Sequence, residues 1–285
     1  MTKRQGYEAI PPLLVTAALV WSYWPTIAGL VYEWSNDANY SVGQLVPLAA
    51  VYLAWHDRRI LTRCRISPSW WGLGVVLAAQ AARAFGLLFQ FKSAERYSLV
   101  LTVAGLLLLI GGRQVTRAAR WILLFLVLMV PLPGRVHNFI SAPLQNAAVR
   151  GSVFVLELLG VPVTREGNSV VLNGTLPVDV AEACSGLRML TAFVVVAAVL
   201  AYLVQRPRWQ KATLLLSSIP IAVLCNLIRV VATAKLYQIA GSGTAERFFH
   251  DFAGLTMMPL AVLFLAGELW LLSCLVIEDA RKDQR

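Results

Sequence analysis

The stretch Ala212–Tyr237 reads ATLLLSSIPIAVLCNLIRVVATAKLY, and it decides the fold class. Only two of its side chains are charged, those of Arg229 and Lys235. About 20 predominantly apolar residues are enough for a helix to cross the hydrocarbon core of a bilayer. The stretch therefore predicts a membrane-spanning helix.

The composition of the whole chain agrees with a membrane protein. Hydrophobic residues make up 58% of its 285 residues and charged residues 14%, whereas an ordinary globular chain is about 25% charged. This excludes disordered and fibrous proteins. The net charge of +10 would suit a nucleic-acid-binding protein, but basic loops that orient helices in a membrane explain it better, so no nucleic-acid partner is expected.

Similar apolar runs predict an all-α integral membrane protein with about eight transmembrane helices in one polytopic domain. The predicted spans are Pro12–Tyr32, Val42–Trp55, Trp70–Phe91, Tyr97–Gly112, Ala118–Leu132, Cys184–Val204, Ala212–Tyr237 and Gly254–Ile277. Residues 1–133 would hold five spans and residues 184–285 three. An outer segment, 134–183, would separate them.

The basic residues predict the orientation of these spans. With a cytoplasmic N-terminus, 15 of the 25 Lys and Arg residues lie in inner segments, 6 in outer segments and 4 within spans. This is the positive-inside pattern, which places both termini in the cytoplasm. The first apolar run follows Lys3 and Arg4 but is too long for a signal peptide and lacks a small-x-small cleavage site, so it is expected to remain as a helix.

The outer segment contains two kinds of pattern. Residues from Val136 to Leu159 mix apolar and polar side chains, which predicts one or two amphipathic helices on the outer surface. Asn173-Gly174 favours a type I′ turn between the apolar runs 169–172 and 175–180, and therefore a small hairpin on the outer face. Pro177 predicts that the second strand lies at an edge.

Cys184 is the cysteine that the predicted topology places on the outer face. At the start of the sixth span, in the first turn of a helix, its thiol pKa would be lowered by the free N–H groups and the helix dipole. An exposed thiol on an oxidising face is a liability unless it has a use. Two interpretations stand: a nucleophile, or a buried structural cysteine.

The seventh span carries Asn226 and Arg229 on one face, because residues three apart on a helix are neighbours. Arg229 lies about 27 Å from the inner end of the helix, in its outer third. An arginine within an apolar helix is costly and favours a function. The alternative is that it reaches the outer headgroups, as we expect of Lys235.

Two histidines lie on the predicted outer face, and either could transfer a proton near neutral pH. His250 comes directly before the eighth span, and His137 is the rival. Cys184, Arg229 and His250 are expected at adjoining ends of the last three spans. A thiol, a cation and a proton carrier are the groups that acyl transfer needs.

The same residues resemble a known family. The sequence Val180-Ala181-Glu182-Ala183-Cys184-Ser185-Gly186-Leu187-Arg188, then Asn226-Leu227-Ile228-Arg229, then His250 before the last span, is similar to the exosortase/archaeosortase family. The preceding Arg165-Glu166-Gly167-Asn168 also resembles it. The similarity is specific over about 161–254. Met189 and Leu187 replace residues more common in the family.

The resemblance implies a membrane cysteine transpeptidase in the inner membrane, with its active site facing the periplasm. Such enzymes cleave a C-terminal PEP-CTERM sorting signal, which comprises a Pro-Glu-Pro-type motif, a transmembrane helix and a basic tail. Members often accompany exopolysaccharide production. The implied roles are Cys184 as nucleophile, Arg229 as the conserved arginine and His250 as acid/base.

The expected partners are therefore substrate proteins with a C-terminal transmembrane helix, and membrane lipid. No cofactor is expected, and no metal, because no His/Cys/Asp/Glu group has ligand spacing. Two alternatives remain: a membrane acyltransferase that uses the same three residues, and a transporter that binds an anionic substrate through Arg229. Arg83, inside the third span, has no assigned role at this point.

Overall fold

The computed structural model describes residues 14–167, 169–172, 176–179, 186–240 and 253–275. Its α-helices are α1 Leu14–Ser22, α2 Trp24–Asn36, α3 Leu45–His56, α4 Arg58–Arg63, α5 Trp71–Leu88, α6 Lys92–Ile110, α7 Gly112–Leu126, α8 Gly134–Leu158, α9 Leu187–Leu203, α10 Arg208–Ala240 and α11 Ala253–Leu275. Short 3-10 helices cover Ser41–Gln44 and Val127–Met129. The strands are β1 Val163–Glu166, β2 Ser169–Leu172 and β3 Leu176–Asp179. An all-α membrane protein is confirmed, with two compact units at Met1–Leu132 and Pro133–Arg285.

The predicted number of about eight spans is not confirmed. Within the described residues, α5, α6 and α10 are long and apolar enough to cross a membrane. The count rises to five if α1 with α2, and Gly112–Met129 with α8, each form one bent span. Other predicted spans are short as helices: Val42–Trp55 divides into a 3-10 helix and the 12-residue α3, and α9 has 17 residues. A straight helix needs about 20 to cross the hydrocarbon core.

In the first unit, the first predicted span is broken at Tyr23, where α1 and α2 meet at 66°. Pro25, in the first turn of α2, has no N–H with which to continue the helical hydrogen bonds. Arg83 on α5 donates to Ser22 Oγ at 2.7 Å and to the Ser22 carbonyl. Its guanidinium also lies 4.3 Å from the centroid of the Tyr23 ring. Arg83, unexplained by the sequence, therefore stabilises this break.

A buried polar network ties the same break to α5 and α6. The Tyr23 hydroxyl lies 3.2 Å from Ser98 Oγ and 2.8 Å from Thr102 Oγ1. Gln80 Nε2 donates to that hydroxyl at 3.2 Å and to Thr102 Oγ1 at 3.3 Å. Hydrogen bonds of this kind join helices in an apolar medium. Because these groups bond one another, the network cross-links the break between α1 and α2 to both α5 and α6.

The C-terminal end of α2 carries charged groups. Arg96 on α6 is buried and forms an ion pair with Glu33. In the loop after α2, burial and the nearby carboxylates of Asp37 and Glu33 raise the pKa of Tyr40 to about 12. Burial and the nearby carboxylates both disfavour the charged phenolate and so favour the protonated phenol.

The second unit has two apolar cores that share α10. The first lies where α9, α10 and α11 pack together, and its buried members are Met189, Phe193, Ala197, Ala201, Leu214, Ala222, Cys225, Ala261 and Leu265. The second joins α8 and the sheet to α10, and its buried members are Val149, Leu156, Val161, Val170, Leu172, Val230 and Ala234. Since both cores hold α10, the helix that carries Asn226 and Arg229 is fixed on two sides.

The amphipathic stretch before the sheet forms one helix. Residues predicted as one or two helices between Val136 and Leu159 make the single 25-residue α8, which continues through Pro143. Its Val149 and Leu156 are buried, while Phe139 and Phe154 are exposed. The single helix is therefore shown, while its amphipathic character and its position on the outer surface of a membrane stay predictions.

The predicted hairpin is the second half of a three-stranded antiparallel sheet of order β1-β2-β3. β3 lies at one edge, as Pro177 predicted. The prediction missed β1. The predicted two-residue turn between β2 and β3 is also wrong. The register pairs Leu172 with Leu176, so three residues separate the paired positions. One more residue than a type I′ turn allows must be accommodated in this loop, and residues 173–175 lie outside the described residues.

Candidate active site

The start of α9 is set by Gly186. This residue is buried and adopts φ +70°, a left-handed conformation that a side chain disfavours and glycine accepts. The first hydrogen bond of the helix runs from Leu190 N–H to the Gly186 carbonyl at 2.8 Å. The helix thus begins at Leu187, with Gly186 as its N-cap and without a side-chain cap.

This start differs from the predicted start of the sixth span, which was Cys184. The sequence placed Cys184 in the first turn of the sixth span, but it precedes the Gly186 cap by two residues along the chain. The reason is the positive φ of Gly186, which is not a helical conformation and interrupts the helix there. Cys184 itself lies outside the described residues.

Asn226 and Arg229 form the polar face of α10. Arg229 Nη2 donates a hydrogen bond to Asn226 Oδ1 at 2.8 Å. Asn226 is 2% exposed, and Arg229 is partly buried. The spacing of three residues predicted a shared face, and the hydrogen bond confirms it.

Asn226 also lies against the start of α9. A Cβ placed on Gly186 would be 3.2 Å from Asn226 Nδ2 and 3.7 Å from Leu144 Cβ on α8. The backbone of Gly186 therefore packs directly on the Asn226 amide, with α8 on another side. Three helices, α8, α9 and α10, converge at this point. One buried amide connects the guanidinium of Arg229 to the N-terminal end of α9.

Close packing of α8 on α10 supports this junction. A Cβ placed on Gly151 would lie 2.9 Å from Leu227 Cδ1, so α8 approaches α10 closely beside Asn226. One turn beyond Arg229, Thr233 Oγ1 donates to the Arg229 carbonyl at 2.9 Å. The helix backbone next to Arg229 is thus packed closely against α8, and the Thr233 bond lies within α10 itself.

The sheet is anchored to the same two helices. Arg165 on β1 donates from Nη2 to Asn146 Oδ1 on α8 at 3.0 Å and from Nε to the Gly167 carbonyl at 2.8 Å. Val170 and Leu172 on β2 are buried in the core that includes Val230 of α10. The sheet, whose last strand leads in sequence to Cys184, is therefore attached to the helix that carries Arg229. In the sequence, Arg165 belongs to the family-like stretch Arg165-Glu166-Gly167-Asn168, but nothing there indicated that Asn146 is its partner.

The electrostatics of the junction favour an anion. The N-terminal end of a helix carries a partial positive charge from its free N–H groups, and α9 presents that end where Gly186 meets Asn226. Arg229, bonded to the same amide, adds a full positive charge. The pair of features suits a carboxylate, a thiolate or a developing oxyanion.

The structure describes only Arg229 among the three predicted catalytic residues. Cys184 and His250 lie outside the described residues, and their meeting with Arg229 stays a prediction. The rival base, His137, is in the first turn of α8. It lies seven residues before Leu144, the α8 residue near Gly186, and this spacing corresponds to about 10 Å along the helix axis. Within the described part of the chain, no group of three His, Cys, Asp or Glu side chains could hold a metal ion.

Comparison with known proteins adds the family. The family model described as transmembrane exosortase matches residues 34–267, well over half of the chain. The chain belongs to the transmembrane exosortase family. No curated protein and no solved structure gives a significant match.

The matched range includes the whole junction described above. Gly186, Asn226 and Arg229 lie within residues 34–267, as do the positions of Cys184 and His250. A transmembrane exosortase with apolar helices is a multi-pass membrane protein. Membership in this family suggests a membrane transpeptidase that acts on sorting signals.

Proposed function

We propose that this exosortase is a cysteine protease/transpeptidase. It cleaves the C-terminal sorting signal from exported proteins and transfers the cleaved proteins to an acceptor. One observation carries the proposal: the guanidinium of Arg229 is bonded to a buried Asn226, which packs on the cap residue of the helix that follows Cys184. A fixed cation near the start of that helix is the electrostatic environment that favours a thiolate and a developing oxyanion.

The proposed reaction has two steps. The Cys184 thiolate attacks the scissile carbonyl carbon, and the electron pair of the C=O bond moves to its oxygen. The intermediate collapses, the C–N bond breaks, and His250 gives a proton to the leaving amine, which leaves a thioester on Cys184. An acceptor nucleophile then attacks the thioester, gives its proton to His250 and releases the thiolate. Arg229 stabilises the oxyanion or orients the substrate.

The proposed location follows from the charge distribution. The positive-inside pattern favours cytoplasmic termini and a site at the periplasmic face of the inner membrane. The substrate would be a protein of the PEP-CTERM type, with its transmembrane helix beside α9, α10 and α11. Its sorting motif would then meet the site at that face, which lies on the outer side of the bilayer.

The test is substitution of Cys184 in cells that express a tagged substrate of this type. Cys184→Ala is expected to leave the substrate uncleaved while the enzyme still inserts in the membrane, because alanine has no nucleophile. The matched control is Cys274→Ala, which removes an exposed cysteine from α11 and is expected to process normally. Normal processing by Cys184→Ala would refute the proposal.

The mass of a trapped adduct on Cys184 separates this function from the alternatives. A peptide acyl group is expected for the transpeptidase. A fatty acyl group would instead indicate a membrane acyltransferase. No adduct would indicate the transporter.

A further inference from the structure

We infer that Asn226 is a positioning residue of this active site, which orients the guanidinium of Arg229 and braces the backbone at Gly186. The inference rests on the proposed function and adds to it a residue that does not itself react. Three observations carry it: a hydrogen bond, a packing contact and the burial of the amide.

The hydrogen bond restricts Arg229. An arginine side chain has several rotatable bonds and loses up to about 2 kcal/mol of rotamer entropy when it is ordered. The 2.8 Å bond from Arg229 Nη2 to Asn226 Oδ1 selects one orientation of the guanidinium before substrate arrives. Because Asn226 is neutral, this partner orients the cation and contributes no charge that would offset it. Preorganised charge of this kind is the main electrostatic device of acyl-transfer sites.

The packing contact restricts the start of α9. Asn226 Nδ2 lies 3.2 Å from the place that a Cβ of Gly186 would occupy, so the amide defines how far the Gly186 backbone can shift toward α10. Two residues of extended chain span at most about 7 Å. The position of Gly186 therefore limits how far Cys184, two residues earlier in the chain, can lie from Arg229.

The burial of Asn226 shows that this amide is part of the rigid interior. It is 2% exposed in a helix with a strongly apolar sequence, and a buried polar side chain is costly unless its hydrogen bonds are made. The amide oxygen accepts the bond from Arg229 Nη2, so an apolar residue at position 226 would leave that N–H without this acceptor.

The experiment measures kcat and KM of the purified full-length chain in proteoliposomes. The substrate is a fluorescent reporter that ends in a Pro-Glu-Pro motif, a transmembrane helix and a basic tail. Asn226→Ala is expected to lower kcat by about 10- to 100-fold, because displacement of a catalytic group by about 1 Å has an effect of this size. KM is expected to change by less than about threefold, because the substrate helix binds mainly elsewhere.

Two further variants distinguish positioning from a structural role. Asn226→Gln keeps a neutral amide oxygen as an acceptor for Arg229 and is expected to have a higher kcat than Asn226→Ala. Ser218→Ala is the matched control: Ser218 is also fully buried on α10 and donates to the Leu215 carbonyl at 2.7 Å, but lies two turns from Asn226. It is expected to keep the wild-type kcat per folded molecule.

The outcomes separate the two proposals. A wild-type kcat per folded molecule for Asn226→Ala would overturn the inference, as would an Asn226→Gln variant no more active than Asn226→Ala. Cys184→Ala is measured in the same assay. If it cleaves the reporter, the proposed function has failed; if it is inactive while Asn226→Ala is normal, only the positioning role has failed.

Discussion

Substitution of Gly186 by alanine tests the junction between α9 and α10 most directly. The new methyl group would meet two difficulties. The backbone has φ +70°, which costs a residue with a side chain about 1–2 kcal/mol. The Cβ would also lie 3.2 Å from Asn226 Nδ2, closer than ordinary van der Waals contact, so the amide must move by a few tenths of an ångström.

The chain offers a control that separates these two effects. Gly160 has φ +73°, and a Cβ placed on it would have no neighbour within 4 Å. Gly160→Ala therefore carries the backbone cost alone. Gly160→Ala is expected to lower the free energy of unfolding by about 1–2 kcal/mol. Gly186→Ala is expected to lower it by more, because it also displaces Asn226 and, with it, Arg229.

The assay combines unfolding in detergent with substrate processing by the folded fraction. Gly160→Ala is expected to keep wild-type kcat, and Gly186→Ala to lose about 10-fold or more. Adding Asn226→Ala to Gly186→Ala is expected to cost less than the sum of the two single changes, because both act on the same contact. Equal kcat for the two glycine variants would refute the reasoning.

Two predictions concern the first unit. Arg83→Met is expected to lower the free energy of unfolding by about 1–3 kcal/mol, because it removes the hydrogen bonds to Ser22 and the stacking on Tyr23; an unchanged melting temperature in detergent would contradict this role. For Tyr40, the folded pKa of about 12 lies above the ordinary value of 10.0, so the unfolded state loses its proton first and the stabilisation falls as pH rises from about 10 toward 12. Tyr40→Phe is expected to reduce that alkaline loss of stability, and an identical slope of stability against pH in both proteins would show the prediction to be wrong.

Local patterns were sufficient for several elements. Each predicted span overlaps a helix, because a long apolar run can satisfy its backbone in a membrane only as a helix. The strands on either side of Asn173-Gly174 form the predicted antiparallel pair, although their register differs by one residue from that of a two-residue turn. Pro177 lies on an edge strand because it cannot donate to a second neighbour. The shared face of Asn226 and Arg229 followed from helical periodicity alone.

Other features depended on contacts between distant residues. The break at Tyr23 involves Arg83, sixty residues further along the chain, and neither neighbourhood indicates the other. β1 was missed because its four residues carry no clear alternation, and pairing with β2 defines it as a strand. The helix start at Leu187 in place of Cys184 depends on the positive φ of Gly186 and on the close approach of Asn226.

The sequence by itself determined that this is a helical membrane protein, that its basic residues favour one orientation, and that its motifs are those of an exosortase. The first two properties follow from composition and periodicity, and the third is a resemblance of short motifs to a known family; none of them needs knowledge of distant contacts. Only the tertiary structure decided that one buried amide joins Arg229 to the start of α9. That contact depends on how closely α8, α9 and α10 approach, and the approach is set by side chains far apart in the chain.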